Sequence, residues 1–212
     1  MEPQDKDARC NSTLSGNKIQ LEKWEEKQKE KVCAVDIDGV LNYYPGPWLK
    51  YLADTIHRRL FTNLVEAKNE VAYQIYKNVK DAYRRSKEKA NLPVKEGGGN
   101  FLATLEGLDY DIQILTKRPF TKIQGLYRLT VDWLRNNKLC YSGLISDPDK
   151  HVRILLEFPH LKFMVEDHRY IANLVGSWGY KVYLMDNIYN QGELHPMVKR
   201  VLDFDEILKE LL

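Results

Sequence analysis

Two aspartates separated by one residue follow a short apolar run. Residues 32–41 read Val-Cys-Ala-Val-Asp-Ile-Asp-Gly-Val-Leu, so that Asp36, Asp38 and Gly39 come directly after a segment typical of a buried strand. In an open α/β sheet, such a strand delivers side chains to the carboxyl-terminal edge, where binding sites lie. Two neighbouring carboxylates repel each other, and a cation or a shared proton offsets that repulsion. The pair therefore indicates a site, although Asp and Gly are also ordinary turn residues.

Three more sets of polar residues each follow a strand-like run. The runs at residues 112–115, 143–146 and 163–165 are followed, in that order, by Thr116 with Lys117 and Arg118, by Lys150, and by Glu166 with Asp167. A threonine hydroxyl can donate to a phosphoryl oxygen, and a guanidinium forms a fork that suits phosphate. Because the carboxyl ends of parallel strands meet at one edge of a sheet, we expect these groups to lie beside the aspartate pair.

The alternation of strand-like and helix-like segments predicts the elements that position these groups. Strand-like runs lie at residues 32–35, 112–115, 143–146, 163–165 and 182–185, and helix-like segments lie at 123–136, 152–158, 170–178 and 204–212. This βαβ rhythm is typical of an α/β fold in which helices cover both faces of a parallel sheet.

A long segment, residues 43–94, interrupts that rhythm between the first two strands. Its apolar residues recur at helical spacing, and Pro93 and the glycine run at 97–99 then close the segment. We expect a small helical insertion over the sheet edge. The last helix of the insertion is basic and carries Lys77, Lys80, Arg84, Arg85, Lys87 and Lys89. Such a run is by default a solvated face, and a rim that attracts phosphate is the alternative.

The composition is that of an ordinary water-soluble protein. The formal net charge of +2 over 212 residues is too small to require a nucleic-acid partner. No apolar stretch approaches the roughly 18 residues of a membrane span, so no membrane partner is expected. Cys10, Cys33 and Cys140 have no metal-ligand spacing and indicate reduced thiols, hence a cytoplasmic location. Residues 1–31 are polar and charge-dense, which predicts a disordered or weakly helical N-terminal tail.

Taken together, the motifs resemble a known family. Asp36-x-Asp38-Gly39-Val40, Thr116, Lys150 and Glu166-Asp167 are similar to the four motifs of the haloacid dehalogenase-like (HAD) superfamily of aspartate-nucleophile phosphatases. The resemblance covers about residues 32–190. It implies a Rossmann-like three-layer core, here residues 32–42 and 95–212, with a small helical cap, here residues 43–94, inserted after the first strand.

Finer features narrow the resemblance. Thr116-x-Arg118, followed by Tyr127-Arg128-x-Thr130-x-x-Trp133-Leu134, is similar to the phosphatase module of polynucleotide kinase-phosphatases and to some nucleotidases. The chain has no Gly-x-x-x-x-Gly-Lys-Ser/Thr loop, so a kinase half is not expected.

The family resemblance implies Mg²⁺ as cofactor and a role for each acid. Asp36 is the expected nucleophile, and Asp38 is expected to protonate the leaving oxygen and then to activate water. The side chains of Asp36 and Asp167 and the backbone carbonyl of Asp38 are the expected metal ligands, with Glu166 on the waters of the metal. Because the fourth motif reads Glu-Asp, the choice between Glu166 and Asp167 as direct ligand stays open.

The remaining motif residues are expected to hold the phosphate. The resemblance implies that Thr116 and Lys150 stabilise the phosphoryl oxygens, and that Gly39, Lys117 and Arg118 contribute to substrate binding. Lys162 is the alternative to Lys150, but it falls at the start of a strand, away from the carboxyl-terminal edge.

The expected activity is the hydrolysis of a phosphate monoester, with a nucleotide or a nucleic-acid end as the preferred substrate. A sugar phosphate or another small metabolite is the alternative, and a non-catalytic binding protein is a second one. A cap that closes fully over Asp36 favours small substrates, whereas an open basic rim admits a polynucleotide end. Tyr43, Tyr44 and Trp48 could stack a base or pack at the cap hinge.

Overall fold

Six strands form one fully parallel sheet. The computed structural model describes residues 31–212. The strands are β1 (Lys31–Val35), β2 (Tyr110–Thr116), β3 (Gly143–Ser146), β4 (Phe163–Glu166), β5 (Val182–Met185) and β6 (Val198–Val201). They lie in the order β3-β2-β1-β4-β5-β6, and every neighbouring pair is parallel. The predicted α/β fold with a parallel sheet is therefore confirmed.

Nine α-helices accompany the sheet within the described residues. They are α1 (Gly46–Thr55), α2 (Leu64–Glu70), α3 (Tyr73–Arg84), α4 (Lys87–Ala90), α5 (Gly98–Gly107), α6 (Leu126–Asn136), α7 (Lys150–Glu157), α8 (Arg169–Ser177) and α9 (Phe204–Leu211). A short 3₁₀ helix, Ile188–Asn190, follows β5. None of the helices in residues 31–212 combines the length and the apolar character that crossing a bilayer requires.

Both faces of the sheet are buried, which explains the continuous apolar run of β1. Cys33 and Val35 pack on one face with residues of α5, α6 and α9, whereas Val32 and Ala34 pack on the other face with residues of α7 and α8. Strands buried on both faces have no need for polar positions between their apolar ones. The sheet is thus the middle of three layers.

The register of the strands brings their carboxyl ends to one edge. Val35 lies opposite Ile114 of β2 and opposite Val165 of β4. Asp36, the next residue, donates its backbone N–H to the Val165 carbonyl at 3.0 Å. The central strand β1 therefore projects Asp36 between the ends of its two neighbours.

The helices α1 to α4 form the predicted insertion over that edge. They share an apolar cluster of their own that includes Trp48, Leu52, Phe61 and Tyr83. The ends of the segment lie side by side, because Asn42 and Val94 form an isolated antiparallel bridge. The division of the chain at residues 43 and 94 stays a prediction.

We expected the glycine run at 97–99 to close the insertion. In the structure this run lies instead at the start of helix α5. Gly97 has a φ of +76° just before the helix. A Cβ on Gly98 would lie 3.1 Å from Val94 Cγ1 and 3.3 Å from an aromatic carbon of Phe204. The glycines thus allow the start of α5 to pack closely, and its buried Phe101 fixes the helix in the core.

Other elements also differ from the predictions. The sixth strand, β6, was not expected, because Lys199 and Arg200 interrupt its apolar pattern at the sheet edge. Helix α6 begins at Leu126, three residues later than expected, and α7 begins at Lys150, two residues earlier. Of the predicted tail at residues 1–31, only Lys31 lies within the described residues, and it begins β1; Cys10 also lies outside them.

Candidate active site

The structure gathers most of the predicted site residues at the carboxyl-terminal edge of the sheet. Asp36 follows β1, Thr116 ends β2, Lys150 begins α7 after β3, and Glu166 and Asp167 lie at the end of β4. All of these side chains are buried. The sequence alone predicts this gathering, because each residue lies at or just after the end of its own strand.

Lys150 bridges two of the acids. Its Nζ lies 2.8 Å from Asp36 Oδ2 and 2.7 Å from Glu166 Oε2. Burial by itself lowers the pKa of this ammonium, but the two carboxylates raise the pKa of Lys150 above its ordinary value. Lys162 lies instead just before β4, where its backbone N–H donates to the Val32 carbonyl at the amino end of β1. The structure therefore places Lys150, and not Lys162, beside Asp36.

The second oxygen of Asp36 is left without a partner. Oδ1 is buried and accepts no hydrogen bond from any described residue. Burial raises the pKa of Asp36 to about 6, with Lys150 opposing the shift and Glu166 adding to it. A buried carboxylate oxygen without a donor is costly. Oδ1 is therefore the atom of this site from which a cation or an incoming group would remove an energetic penalty.

Three carboxylates are close enough to share one cation. Oxygens of Asp36, Glu166 and Asp167 all lie within 4.8 Å of one another. Burial raises the pKa of Asp167 well above its ordinary value, and the charges of Glu166 and Asp36 raise it further. A set of carboxylate oxygens is what a hard divalent cation such as Mg²⁺ takes as ligands. The residues present therefore fit the expected metal, because their oxygens form the donor set that it takes.

Gly39 makes room for Asp167. Its φ of +88° favours glycine, and a Cβ at this position would lie 2.0 Å from Asp167 Oδ2 and 2.6 Å from the Tyr189 hydroxyl oxygen. The Tyr189 hydroxyl donates to the same Asp167 oxygen, and Asn190 Nδ2 donates to the Asp167 carbonyl at 2.8 Å. Sequence analysis missed Tyr189 and Asn190. Their place just beyond the end of β5 was the only signal for them.

Asp38 is held by cations from two different parts of the chain. Arg118 donates from Nε to Oδ2 at 3.1 Å and from Nη2 to Oδ1 at 2.8 Å, and Lys89 of α4 donates to Oδ1 as well. Asn42 Nδ2 is a further donor at 2.9 Å. Although burial acts in the opposite direction, Arg118 and Lys89 hold the pKa of Asp38 well below its ordinary value.

Arg118 therefore contacts an acid of the protein where a phosphate contact was expected. The side chain is buried, and its Nη1 also donates to Thr130 Oγ1 at 3.1 Å. Thr130 belongs to α6, so this helix helps to position Arg118. Lys117, the neighbouring residue, is exposed and lines the pocket.

A pocket of about 520 Å³ is lined by Asp36 and other residues at the sheet edge and by residues of helices α2, α3 and α4. Three cations of the basic helices, Lys80, Arg84 and Lys89, line it together with Tyr44. Trp48 is fully buried in the apolar cluster of the insertion, so its ring is a packing element. The basic run is thus divided between residues that face the pocket and residues that face solvent, among them the exposed Lys77.

Comparison with known proteins gives matches among solved structures only. No protein-family model and no curated protein matches the sequence. A haloacid dehalogenase-like hydrolase from Streptococcus pneumoniae matches with a TM-score of 0.60 at 14% identity, over 86% of this chain and 99% of that one. A HAD hydrolase from Bacillus subtilis bound to magnesium matches with a TM-score of 0.58 at 14% identity, over 86% of this chain and 98% of that one.

A third match is the D,D-heptose 1,7-bisphosphate phosphatase from B. bronchiseptica, complexed with magnesium and phosphate. Its TM-score is 0.51 at 12% identity, over 85% of this chain and 97% of that one. The polynucleotide kinase-phosphatases are not among these neighbours. The chain therefore has the fold of the haloacid dehalogenase-like hydrolases.

Proposed function

We propose that this protein is a Mg²⁺-dependent phosphatase that hydrolyses phosphate monoesters through an aspartyl-phosphate on Asp36. The observation that carries the proposal is the different environment of the two oxygens of the Asp36 carboxylate. Lys150 holds Oδ2 at 2.8 Å, and Oδ1 is buried without a hydrogen-bond donor at the base of a pocket. A nucleophile needs one oxygen that is both fixed in place and unoccupied, and Asp36 Oδ1 meets both conditions.

The residues around Asp36 suit the two displacement steps. Asp36 Oδ1 attacks phosphorus, and the bond to the leaving oxygen breaks while that oxygen takes a proton. Water then attacks the phosphorus of the aspartyl-phosphate, gives up a proton, and releases inorganic phosphate and the Asp36 carboxylate. Thr116, buried at the end of β2, and Lys150 lie where they can donate to the phosphoryl oxygens. Mg²⁺ bound by Asp36, Asp167 and the Asp38 carbonyl would draw charge from the phosphoryl group.

Asp38 is the residue that we assign to the proton transfers. In the arrangement described, Arg118 and Lys89 keep its carboxylate ionised. It can donate a proton to the leaving oxygen only after one of these contacts loosens. We therefore expect substrate entry to weaken the contact between Lys89 and Asp38, which joins the cap to the core.

The shape of the pocket favours a small substrate. Helices α3 and α4 reach over the sheet edge, and Lys89 touches Asp38 directly. A volume of about 520 Å³ suits a nucleotide or a sugar phosphate. Because the cap covers Asp36, a small phosphorylated metabolite suits this pocket better than a polynucleotide end. The neighbouring structures that hold magnesium support the choice of metal.

The test is phosphate release from p-nitrophenyl phosphate, with Mg²⁺ and with a chelator. We expect release only with Mg²⁺, and we expect Asp36→Asn to abolish it. Asp54→Asn, which changes an exposed carboxylate of α1, is the matched control and should retain full activity. After acid quenching, mass spectrometry should find the phosphoryl group on the peptide that contains Asp36. A fully active Asp36→Asn variant would refute the nucleophile, and a folded, metal-loaded protein that releases no phosphate would favour a binding protein.

A further inference from the structure

Lys80 is a partly buried cation of the pocket wall that forms no ion pair within the described residues. Lys80 of α3 is partly buried, and its Nζ lies 4.1 Å from the centre of the Trp48 ring and 4.5 Å from the centre of the Tyr44 ring. Its only hydrogen-bond partner among the described residues is the Tyr44 hydroxyl, at 3.2 Å. No carboxylate in residues 31–212 forms an ion pair with it.

The neighbouring cations are occupied. Lys89 forms its ion pair with Asp38, and Arg84 lies 2.9 Å from Asp81. Burial lowers the pKa of Lys80 well below its ordinary value, and the positive charge of Lys89 lowers it further. A partly buried ammonium with no counter-charge is costly, and an anion that enters the pocket would remove that cost. Of the insertion cations that line the pocket, Lys68 and Lys80 form no ion pair within residues 31–212, and Lys80 is the one that is partly buried. Lys80 is therefore free to accept a ligand.

The charges that line the pocket leave room for more than one phosphate. Its cations are Lys68, Lys80, Arg84, Lys89, Lys117, Arg118, Lys150 and Arg169, and its acids are Asp36, Asp38, Glu166 and Asp167. Eight cations against four acids leave a formal excess of four positive charges. A single phosphate dianion offsets only about two of them. A divalent metal ion on the acids would increase the excess again.

Lys80 forms none of the contacts that hold the two aspartates after β1. Among the described residues, Lys89 touches Asp38, two residues from the proposed nucleophile, whereas Lys80 forms no hydrogen bond or ion pair with Asp36 or Asp38. The Nζ of Lys80 lies instead beside the rings of Tyr44 and Trp48. Lys80 is therefore available to a group of the substrate other than the phosphate on Asp36.

We propose that Lys80 binds a second phosphate group of the substrate, so that the preferred substrates are small bisphosphates. This inference rests on the proposed phosphatase function and names its substrate class. The second phosphate could belong to a sugar bisphosphate or to a nucleoside bisphosphate, because Lys80 recognises the same group in both. A purely structural role, in which the ammonium only packs on the rings, is the competing explanation.

The first experiment compares matched pairs of substrates. Glucose 6-phosphate is paired with glucose 1,6-bisphosphate, and adenosine 5′-monophosphate with adenosine 3′,5′-bisphosphate. We expect the bisphosphate of at least one pair to have the higher kcat/KM. The Lys80→Met variant keeps the length and packing of the side chain, and it should reduce the ratio of bisphosphate to monophosphate kcat/KM about tenfold, the effect of one charge-assisted contact. Lys77→Met, on the exposed side of the same helix, should leave the ratio unchanged.

Two results would overturn the inference. One is an equal effect of Lys80→Met on both members of each pair, which is what a structural role predicts. The other is the absence of any preference for a bisphosphate in the wild-type protein. The pair that shows the preference identifies the source of the second phosphate.

A binding measurement separates this inference from the proposed function. Calorimetric titration of Asp36→Asn avoids turnover, and we expect it to show tighter binding of the bisphosphate than of the monophosphate. In the double variant Asp36→Asn with Lys80→Met, the bisphosphate and the monophosphate should bind equally tightly. If the wild-type protein hydrolyses no ester but shows the difference, the phosphatase proposal fails and the anion site stands. If it hydrolyses p-nitrophenyl phosphate but shows no difference in binding, the anion site fails alone.

Discussion

At the scale of single residues, the pKa values of two lysines of the same site are shifted in opposite directions. Lys150 lies between Asp36 and Glu166, and those acids raise its pKa in spite of burial. Within residues 31–212, Lys89 forms an ion pair only with Asp38, which also pairs with Arg118. Burial and that neighbouring guanidinium lower the pKa of Lys89 to about 8. Removing each lysine should therefore affect stability differently.

We predict that Lys150→Met strongly destabilises the protein. It leaves Asp36 and Glu166 buried without their cation, and breaking such an arrangement costs about 3–5 kcal/mol. Without the ammonium, both carboxyls bind protons more tightly when folded, so the loss grows as the pH rises above about 4. Urea unfolding from acidic to neutral pH measures this trend. The control, Lys162→Met, changes an exposed lysine and should unfold like the wild type. A Lys150→Met variant with an unchanged free energy of unfolding would contradict the ion pairs.

We predict that Gly39→Ala disables the site. The new methyl group would overlap Asp167 Oδ2, and the φ of +88° adds backbone strain, together about 1–3 kcal/mol. If the methyl group pushes the Asp167 carboxylate away from Asp36 and Glu166, kcat should fall about a hundredfold, the order expected for a misplacement of about 1 Å. The control is Gly46→Ala, where a Cβ meets no atom within 4 Å. Equal activity of the two variants would refute the close approach.

Site residues were predictable from the sequence where they lie at or just after the end of a strand. Asp36, Thr116 and Lys150 each lie at or shortly after the carboxyl end of a strand, and periodicity alone locates those ends. Arg118 was expected near the aspartate pair because it follows a strand end, but the contact between Asp38 and Lys89 was not predictable, because Lys89 belongs to a helix 51 positions away. Such contacts depend on how whole helices pack, and no local pattern encodes that packing.

At the scale of elements, helix α4 contacts the loop after β1 through one ion pair within the described residues, that of Lys89 with Asp38. We predict that Lys89→Met leaves the unfolding free energy at neutral pH within about 1 kcal/mol of the wild type, or raises it. The reason is that the folded protein holds this ammonium at a pKa of about 8, below its ordinary 10.5, so its charge opposes folding at lower pH. Asp38 keeps Arg118 and Asn42 as partners.

The measurement for Lys89→Met is urea unfolding at neutral pH and at about pH 10, where the wild-type lysine is largely neutral in the folded state. The difference between the variant and the wild type should change across that range, whereas Lys87→Met, on the exposed side of the same helix, should show none. A loss as large as that predicted for Lys150→Met would contradict the pKa of Lys89.

Two elements show why patterns can mislead at this scale. Glycines usually end helices, yet Gly98 begins α5, because its close packing against Val94 and Phe204 leaves little room for a side chain. Strand β6 lies at the edge of the sheet, where Lys199 and Arg200 reach solvent and acidic partners. The β1 run was recognisable because both of its faces are buried.

At the scale of the whole molecule, the acids at the sheet edge should make metal binding depend on pH. Burial raises the pKa of Asp36 to about 6 and that of Asp167 well above its ordinary value, so stability without metal falls as the pH rises from about 4 to 6. A metal ion requires these carboxylates to be ionised. We predict that Mg²⁺ at about a hundredfold its Kd raises the Tm by roughly 5–10 °C at neutral pH.

That gain should shrink as the pH falls through about 6, because protons then compete with the metal for Asp36. Thermal unfolding with and without Mg²⁺ over this pH range measures it. Asp36→Asn should lose the gain, and Asp54→Asn should retain it. A gain that is equal at acidic and neutral pH would exclude these carboxylates as the metal ligands.

The bridge between Asn42 and Val94 has a consequence for engineering. The chain leaves the core and returns to it through neighbouring residues, and the Lys95 N–H donates to the Leu41 carbonyl at 2.9 Å directly beside the bridge. A short turn could therefore span the gap without moving a strand, and insertions from other proteins could be grafted at the same two points. The helices that line the outer wall of the pocket could then be exchanged while Asp36 and the sheet edge stay in place.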